Sequence, residues 1–190
     1  MRDETRAADE HDGNTGIVHY RRRTGCGRES KMKSQFDFRP KEPATEPTSI
    51  RALKAWMKNN GCNFLSYNID SAGIAEGYIL APVGSAYHWM YTERGKETVV
   101  ERFANECDAV SFAYQQIKSD GWAWSHMVGI LDGKKELNAL KESLTRMQIK
   151  YHEDSIPYGG KYDLRYRVFV HGSQADAVSD LRKKFGKTKT

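Results

Sequence analysis

The chain has 190 residues, a hydrophobic fraction of 38%, a mean hydropathy of −0.75 and a formal net charge of +5 at pH 7. This length allows one ordinary domain or two small ones, and no apolar run approaches the length of a membrane span. Three cysteines without ligand spacing argue against a disulfide framework and a zinc site, and the N-terminus lacks the apolar segment of a signal peptide, so we expect a cytoplasmic protein without a membrane partner.

Residues 1–48 are predicted to form a disordered tail. The first 47 residues carry ten Lys or Arg and nine Asp or Glu, with few apolar residues and no periodic pattern. Such a segment cannot bury enough apolar surface to offset the entropy that it loses on ordering. The run Arg21-Arg22-Arg23 could contact nucleic acid, but three charges in a mixed tail are more typical of a solvated chain.

Residues 49–120 predict a module with a helix, an antiparallel four-stranded meander and a second helix. The first helix begins at Thr48 or Ser49, either of which can cap its free amides, and ends at Gly61. Alternation of polar and apolar residues predicts strands at 62–69, 77–83, 87–92 and 99–103.

Within this module, Trp89 and Tyr91 share one face of a central strand and are predicted core residues. Glu93-Arg94-Gly95-Lys96 is a predicted hairpin turn in which Gly95 supplies the positive φ. Asn105 is the predicted cap of the second helix. Its buried stripe comprises Ala109, Phe112, Ala113 and Ile117.

Residues 121–187 predict a ferredoxin-like β-α-β-β-α half whose last strand is absent or contributed elsewhere, followed by a short tail at 188–190. Strands are predicted at 127–131, 149–152 and 164–170, with a helix at 134–147 and a last helix capped by Ser173. The apolar stripe of the helix at 134–147 comprises Leu137, Leu140, Leu144 and Met147.

No catalytic constellation can be assembled from the chain. Cys107 is a lone helical cysteine, which predicts a small buried hydrophobe rather than a nucleophile. His126 could be desolvated by Trp122 and Trp124, but no third group accompanies it. The six histidines never pair at metal-ligand spacing. We therefore predict a protein that is not an enzyme and has no cofactor or metal.

The strand at 164–170 also permits comparison with RNA-recognition modules, whose third strand carries a basic-aromatic consensus. The sequence Arg165-Tyr166-Arg167-Val168-Phe169-Val170 lacks the glycine of that consensus, and the strand at 127–131 has no aromatic residue on which a base could stack. Tyr166 and Phe169 point to opposite faces, which predicts that one of them is a core residue. Direct RNA recognition is therefore disfavoured.

Two stretches of the chain resemble a known family. Trp89-Met90-Tyr91-Thr92-Glu93-Arg94-Gly95, followed by Phe103, Glu106, Ala109 and Phe112, is similar to a pattern in the immunity protein 59 family of bacterial polymorphic toxin systems. The later part of the chain is similar to the carboxyl-terminal extension of longer members. It contains Ser125-His126-Met127-Val128-Gly129, Asp154-Ser155-Ile156-Pro157-Tyr158-Gly159-Gly160 and Arg165-Tyr166-Arg167-Val168-Phe169-Val170. Together these stretches cover about 49–185.

The resemblance implies an immunity protein that binds and neutralises a cognate toxin domain. Such a protein needs exposed aromatic and arginine anchors rather than chemistry of its own. The candidate partner-binding residues are Glu93 and Arg94 at the predicted turn, and Tyr158 and Arg165 near the Gly-Gly turn. The alternative is a basic nucleic-acid-binding or regulatory adaptor without catalytic activity. The sequence leaves the toxin's activity and the oligomeric state open.

Overall fold

The computed structural model describes residues 38–70, 73–158, 160 and 163–186. These residues all lie in one compact unit, Ser34–Thr190, which contains two β-sheets and their helices. The order of elements confirms the predicted α+β class, with a helix, a four-stranded sheet, a second helix and then a three-stranded sheet. No helix in the described part of the chain is long and apolar enough to cross a membrane.

The first sheet packs on two helices. Its elements are α1 Ile50–Asn59, β1 Tyr67–Ile69, β2 Glu76–Val83, β3 Ala86–Glu93, β4 Lys96–Phe103 and α2 Glu106–Ser119. The strand order is β1-β2-β3-β4. Strands β2, β3 and β4 form an antiparallel meander, whereas β1 pairs with β2 in parallel. The prediction that all four strands are antiparallel is therefore wrong for β1.

Strand β1 is shorter than the predicted 62–69 because the chain turns inside that range. Phe64 has a left-handed φ of 54°, and the Asn63 side chain accepts a hydrogen bond from the backbone amide two residues later at 2.8 Å. This local turn competes with strand geometry. The chain then passes so close to β2 that a Cβ on Gly77 would stand 2.3 Å from the Ser66 carbonyl oxygen. Gly77 therefore permits the parallel contact.

Side-chain caps begin both helices of the first sheet. Ser49 Oγ accepts a hydrogen bond from the amide of Ala52 at 3.2 Å, so Ser49 rather than Thr48 is the cap of α1. Asn105 Oδ1 accepts a hydrogen bond from the amide of Asp108 at 2.9 Å, which confirms the predicted cap of α2. Each bond satisfies an amide that has no partner within its helix.

The core of the first sheet is rich in aromatic side chains. Trp89 is 2% exposed and its ring lies 5.2 Å from that of Tyr78, which confirms its predicted core position. Tyr91 is only half-buried, and its hydroxyl donates a hydrogen bond to Glu76 Oε1 at 3.3 Å. The other buried aromatic residues of this core are Trp56, Tyr67, Tyr114 and Trp124.

A 3-10 turn at Gly121–Trp124 leads into the second sheet. Its elements are β5 Ser125–Leu131, α3 Lys134–Arg146, β6 Tyr151–Pro157, β7 Leu164–His171, α4 Gln174–Ala177 and α5 Ser179–Phe185. The strands are antiparallel in the order β5-β7-β6, as in a ferredoxin-like half. Among the described residues no fourth strand pairs with β5, and α5 packs against that strand.

Two details of the second sheet differ from the sequence expectations. The last helix is divided into α4 and α5 at Val178, whose φ of −108° and ψ of 17° interrupt the helical geometry, and Ser173 makes no side-chain cap hydrogen bond. Helix α3 ends at Arg146, so Met147 lies beyond the helix and is 44% exposed instead of packing in the core. Buried aliphatic residues from α3, β5 and β7 form most of this core.

The two sheets meet where α1 and β7 end. A Cβ on Gly61 would stand 2.3 Å from the carbonyl carbon of Gly172, so the two backbones are in direct contact. The amide of Asn63 donates a hydrogen bond to the carbonyl of Ala123 at 2.9 Å, and the amide of Gly172 donates to the carbonyl of Trp124 at 2.9 Å. The 3-10 turn therefore bonds to both sides of this junction.

The predicted tail, 1–48, is described only over 38–48, which contains no helix or strand. The ring of Phe38 stacks on His171 at 5.8 Å. Trp56 Nε1 donates a hydrogen bond to the carbonyl of Lys41 at 2.9 Å. These contacts hold 38–48 against the folded unit. Residues 1–37, which include the three-arginine run, and residues 187–190 lie outside the described residues.

Candidate partner-binding surface

The first predicted contact pair, Glu93 and Arg94, lies at the turn between β3 and β4. Arg94 and Gly95 have φ angles of 52° and 77°, so both central positions of this two-residue turn are left-handed, whereas the sequence assigned a positive φ to Gly95 alone. The Arg94 side chain is 92% exposed, and its Nε is 3.9 Å from Glu93 Oε1. The turn therefore presents a guanidinium group to solvent with one weak ion pair.

The second predicted pair, Tyr158 and Arg165, is brought into direct contact. The Arg165 guanidinium lies 5.0 Å from the centroid of the Tyr158 ring. Its Nε is 3.1 Å from an oxygen of Asp132, and its Nη1 donates to Asp163 at 2.6 Å. Tyr158 is 60% exposed, while the Arg165 side chain is 22% exposed. Two carboxylates thus fix a guanidinium beneath an exposed aromatic ring.

A second fixed arginine lies next to this pair on β7. Arg167 donates from Nε to Asp154 at 2.8 Å and from a terminal nitrogen to the other oxygen of the same carboxylate. Its guanidinium also lies 5.3 Å from the ring centroid of Phe169. A bidentate pair of this kind holds its geometry better than a single-contact ion pair. Alternate residues of β7 therefore carry two oriented guanidinium groups.

These arginines define one face of the second sheet. Side chains alternate along a strand, so Arg165, Arg167 and Phe169 point away from the core that Val168 and Val170 share with α3. We call this side of the sheet the Arg165 face. The strand register adds Met127, Ile130, His152, Asp154 and Ile156. Met127 is 48% exposed, so the face combines apolar and charged groups.

The aromatic residues of β7 are both covered. Phe169 is 5% exposed and meets the Trp122 ring edge-on at 5.5 Å. Tyr166 points to the other side and packs against the core with α3. The sequence predicted that one of the two is a core residue, and the structure adds that Trp122 covers the other. Phe169 is therefore covered, and Tyr166 is partly buried on the opposite side of the sheet.

His126, the candidate base, is used in the junction between the sheets. Its Nε2 is 2.8 Å from the carbonyl oxygen of Gly61, and because a carbonyl only accepts, this nitrogen carries the proton. Burial lowers the pKa of His126, and the Gly61 carbonyl offsets part of this effect. The described geometry therefore gives His126 a structural hydrogen bond.

A buried serine–histidine contact was not predicted. Ser125 Oγ donates to the carbonyl of Gly121 at 2.7 Å and lies 3.3 Å from His171 Nδ1. Burial, with smaller contributions from His152 and His126, lowers the pKa of His171 to about 4. Because the hydroxyl proton is directed to a backbone carbonyl, this contact orients the histidine rather than activating the serine. Two histidines distant in sequence thus contribute to the lowered pKa of His171.

The cysteines differ in exposure. Burial raises the pKa of the Cys62 thiol to about 11. Cys107 is exposed, so its prediction as a buried hydrophobe is wrong; it lies in the first turn of α2, ahead of the first buried position at Ala109. Within the described ranges no group of three or more His, Cys, Asp or Glu residues is placed to hold a metal ion.

A groove of about 690 Å³ is bordered by α1 and by Pro82 and Tyr87 of the first sheet. Arg51, Lys54 and Lys58 line it, and α1 contains no acidic residue. Asp70 and Glu106 also border the groove, but Glu106 Oε1 accepts a hydrogen bond from the amide of Ile50 at 2.6 Å. The groove therefore has a basic wall suited to an anionic group.

The sequence identified Tyr158 and Arg165 but missed the residues that orient them. Asp132 and Asp163 follow and precede strands, where polar residues are common, so only the fold reveals that they converge on Arg165. The alternation of Asp163, Arg165 and Arg167 was the available signal. Comparison of the chain with protein-family models, curated proteins and solved structures returned no match.

Proposed function

We propose that this chain is a cytoplasmic immunity protein that binds and neutralises a cognate bacterial toxin domain. The resemblance of 49–185 to the immunity protein 59 family supplies the partner class. The observation that supports a binding role most directly is the Tyr158–Arg165 pair, because an exposed ring held by a fixed guanidinium loses little side-chain entropy on binding.

In this proposal Tyr158 enters a pocket on the toxin domain and the Arg165 face supplies the surrounding contacts. Asp132 and Asp163 hold Arg165 in place before binding, so the guanidinium has an orienting role beneath the ring. Arg94 at the β3–β4 turn is a second, more mobile contact because its side chain is 92% exposed.

The test uses the toxin domain encoded by the neighbouring upstream gene. Tyr158→Ala removes the exposed ring, and we expect it to weaken binding to the purified toxin domain by about 30-fold, the loss typical of an aromatic hot spot. Isothermal titration calorimetry measures the affinity, and survival of cells that co-express both proteins measures neutralisation.

Two control variants separate contact from folding. Tyr158→Phe keeps the ring and should retain affinity to within a few-fold. Lys135→Ala removes an exposed cation from α3, on the other side of the second sheet, and should leave affinity unchanged. Unchanged binding by Tyr158→Ala would overturn the contact assignment. If co-expression of the unmodified chain fails to relieve growth inhibition, the immunity function itself is wrong.

The basic groove along α1 favours a second candidate, a nucleic-acid-binding or regulatory adaptor. Its cations at positions 51, 54 and 58 follow one side of the helix and could contact successive phosphates. In that case heparin or RNA would retain the chain in a salt-dependent manner, and Lys54→Glu would weaken retention. If heparin and RNA do not retain the unmodified chain, this candidate is excluded, and equal elution of the unmodified chain and Lys54→Glu would exclude the α1 groove as the contact.

A further inference from the structure

Strand β4 is an edge strand with unusual exposure. It occupies the end of the first sheet, and among the described residues no strand pairs with its outer side. Seven of its eight residues are exposed, including Val99 at 38% and Val100 at 42%. An edge of this length with exposed β-branched residues is a template for pairing with another strand.

The register with β3 determines which backbone groups point outward. The two-residue turn makes Glu93 and Lys96 a hydrogen-bonded pair, so Glu97 and then Val99 direct their amides and carbonyls away from β3. Between Val99 and Glu101 a bulge inserts one residue, which returns Glu101 to the hydrogen-bonded side and turns Arg102 outward. Glu97 and Arg102 therefore both present unpaired backbone groups at the edge.

We propose that this edge pairs with β4 of a second copy of the chain, antiparallel, about a twofold axis at Val99. The sequence Lys96-Glu97-Thr98-Val99-Val100-Glu101-Arg102-Phe103 is self-complementary in this register. Glu97 of each copy lies opposite Arg102 of the other, and Val99 lies opposite Val99, with Val100 as the extra residue of the bulge in each strand. The outward-facing residues Glu97 and Arg102 therefore form an opposite-charge pair, and this pair occurs twice in the dimer.

Side-chain direction supports the same register. Glu97 is paired with Thr92, and Arg102 is paired with His88, at even spacing along β3, so both project from one face of the sheet. A cross-strand pair on one face brings its side chains within reach of an ion pair. The pairing joins two four-stranded sheets into one continuous sheet and covers the exposed valines.

The test reverses each charge separately. Glu97→Lys places two cations opposite each other twice in the dimer, and Arg102→Glu does the same with anions, so each should raise the dimer dissociation constant at least about tenfold. Mixing the two variants restores an opposite-charge pair at both positions and should give a heterodimer. Sedimentation equilibrium over a range of concentrations measures the constants, and circular dichroism verifies the fold of each exposed-site variant.

The unmodified chain should be a dimer whose dissociation constant rises in both single variants and recovers in the mixture. A chain that stays monomeric at all concentrations overturns the proposal. A dimer that neither variant weakens, or that the mixture does not restore, shows association through another surface and also overturns it. Tyr158 lies outside β4, so Tyr158→Ala should leave the dimer dissociation constant unchanged. The strand pairing can therefore be tested independently of toxin binding.

Discussion

In the first sheet the aromatic side chains lie between the strands and helices α1 and α2, whereas in the second sheet several lie on the side away from α3. Trp89, Tyr67 and Trp124 are each at most 5% exposed and belong to the first core. The second core has one aromatic residue, Phe185, among its buried members within the described chain. The number of aromatic residues in the sequence therefore does not measure how many are available for binding.

The charged residues differ in the same way. On β4, Glu97 and Arg102 are exposed and leave a self-complementary edge. On β7, Arg165 and Arg167 are 22% and 26% exposed and are fixed by carboxylates from neighbouring segments. Exposed ion pairs contribute little stability, while partly buried bidentate pairs restrict geometry. The first sheet is therefore suited to strand pairing and the second to presenting oriented groups.

The difference between the two cores can be tested most directly by removing one large side chain from each. Trp89→Ala removes a ring that contacts Tyr67, Tyr78 and Phe112, and we expect a loss of about 3–5 kcal/mol in the free energy of unfolding. Leu140→Ala in the aliphatic core should cost about 2–5 kcal/mol. Urea denaturation followed by near- and far-ultraviolet circular dichroism measures both.

Both variants should still unfold in one transition, because backbone hydrogen bonds join the sheets through the 3-10 turn. Two separate transitions, with Trp89→Ala moving only one of them, would show that the sheets fold independently. That result would contradict the single compact unit in which the described residues lie.

Periodicity predicted the fold class and most elements because their apolar residues repeat at helix or strand spacing. The α3 stripe at Leu137, Leu140 and Leu144 is buried as predicted. Periodicity could not reveal the parallel pairing of β1, which depends on the turn at Asn63 and on the absence of a Cβ at Gly77. The approach of Ser66 to Gly77 joins separate segments, so no local pattern indicates it, and the local turn at Asn63 interrupts an otherwise strand-like alternation.

The candidate surface was predictable only in part. Tyr158 and Arg165 could be selected by residue type, and their contact follows from the antiparallel pairing of β6 and β7. The convergence of Asp132 on Arg165 and of Ser125 on His171 depends on strand order. Strand order is set by tertiary packing, and the spacing of residues along the chain does not determine it.

The pH dependence of stability gives a further test of the second sheet, through the buried His171. Burial, with smaller contributions from His152 and His126, lowers the folded-state pKa of His171 from 6.5 to about 4. The unfolded chain therefore binds this proton more readily, and the stabilisation present above pH 6.5 is lost as the pH falls towards 4. We expect this loss to reach at most about 3 kcal/mol.

Urea unfolding at several pH values measures the effect in the unmodified chain and in His171→Gln. The variant has no imidazole to protonate, so its stability should fall less steeply between pH 6.5 and pH 4. Equal slopes would show that His171 is not protonated differently in the two states. The prediction concerns the second sheet and its junction, because Ser125 and Phe38 both contact this imidazole.

The smallest predicted difference tests whether the junction between the sheets is tight. Gly61 and Gly95 both have left-handed φ angles, 68° and 77°, so replacing either with alanine should cost about 1–2 kcal/mol in backbone strain. Only at Gly61 would the new Cβ also meet backbone, at 2.3 Å from Gly172, whereas nothing lies within 4 Å at Gly95. Gly61→Ala should therefore be more destabilising than Gly95→Ala.

Gly95→Ala is the matched control because it adds the same methyl group under the same backbone strain without a clash. Urea denaturation of the two variants isolates the contribution of the Gly61–Gly172 contact, which we expect to be at least about 1 kcal/mol. Equal losses would mean that α1 and β7 separate enough to accept a methyl group. The two sheets would then be joined mainly by the hydrogen bonds of Asn63 and His126 rather than by close backbone packing.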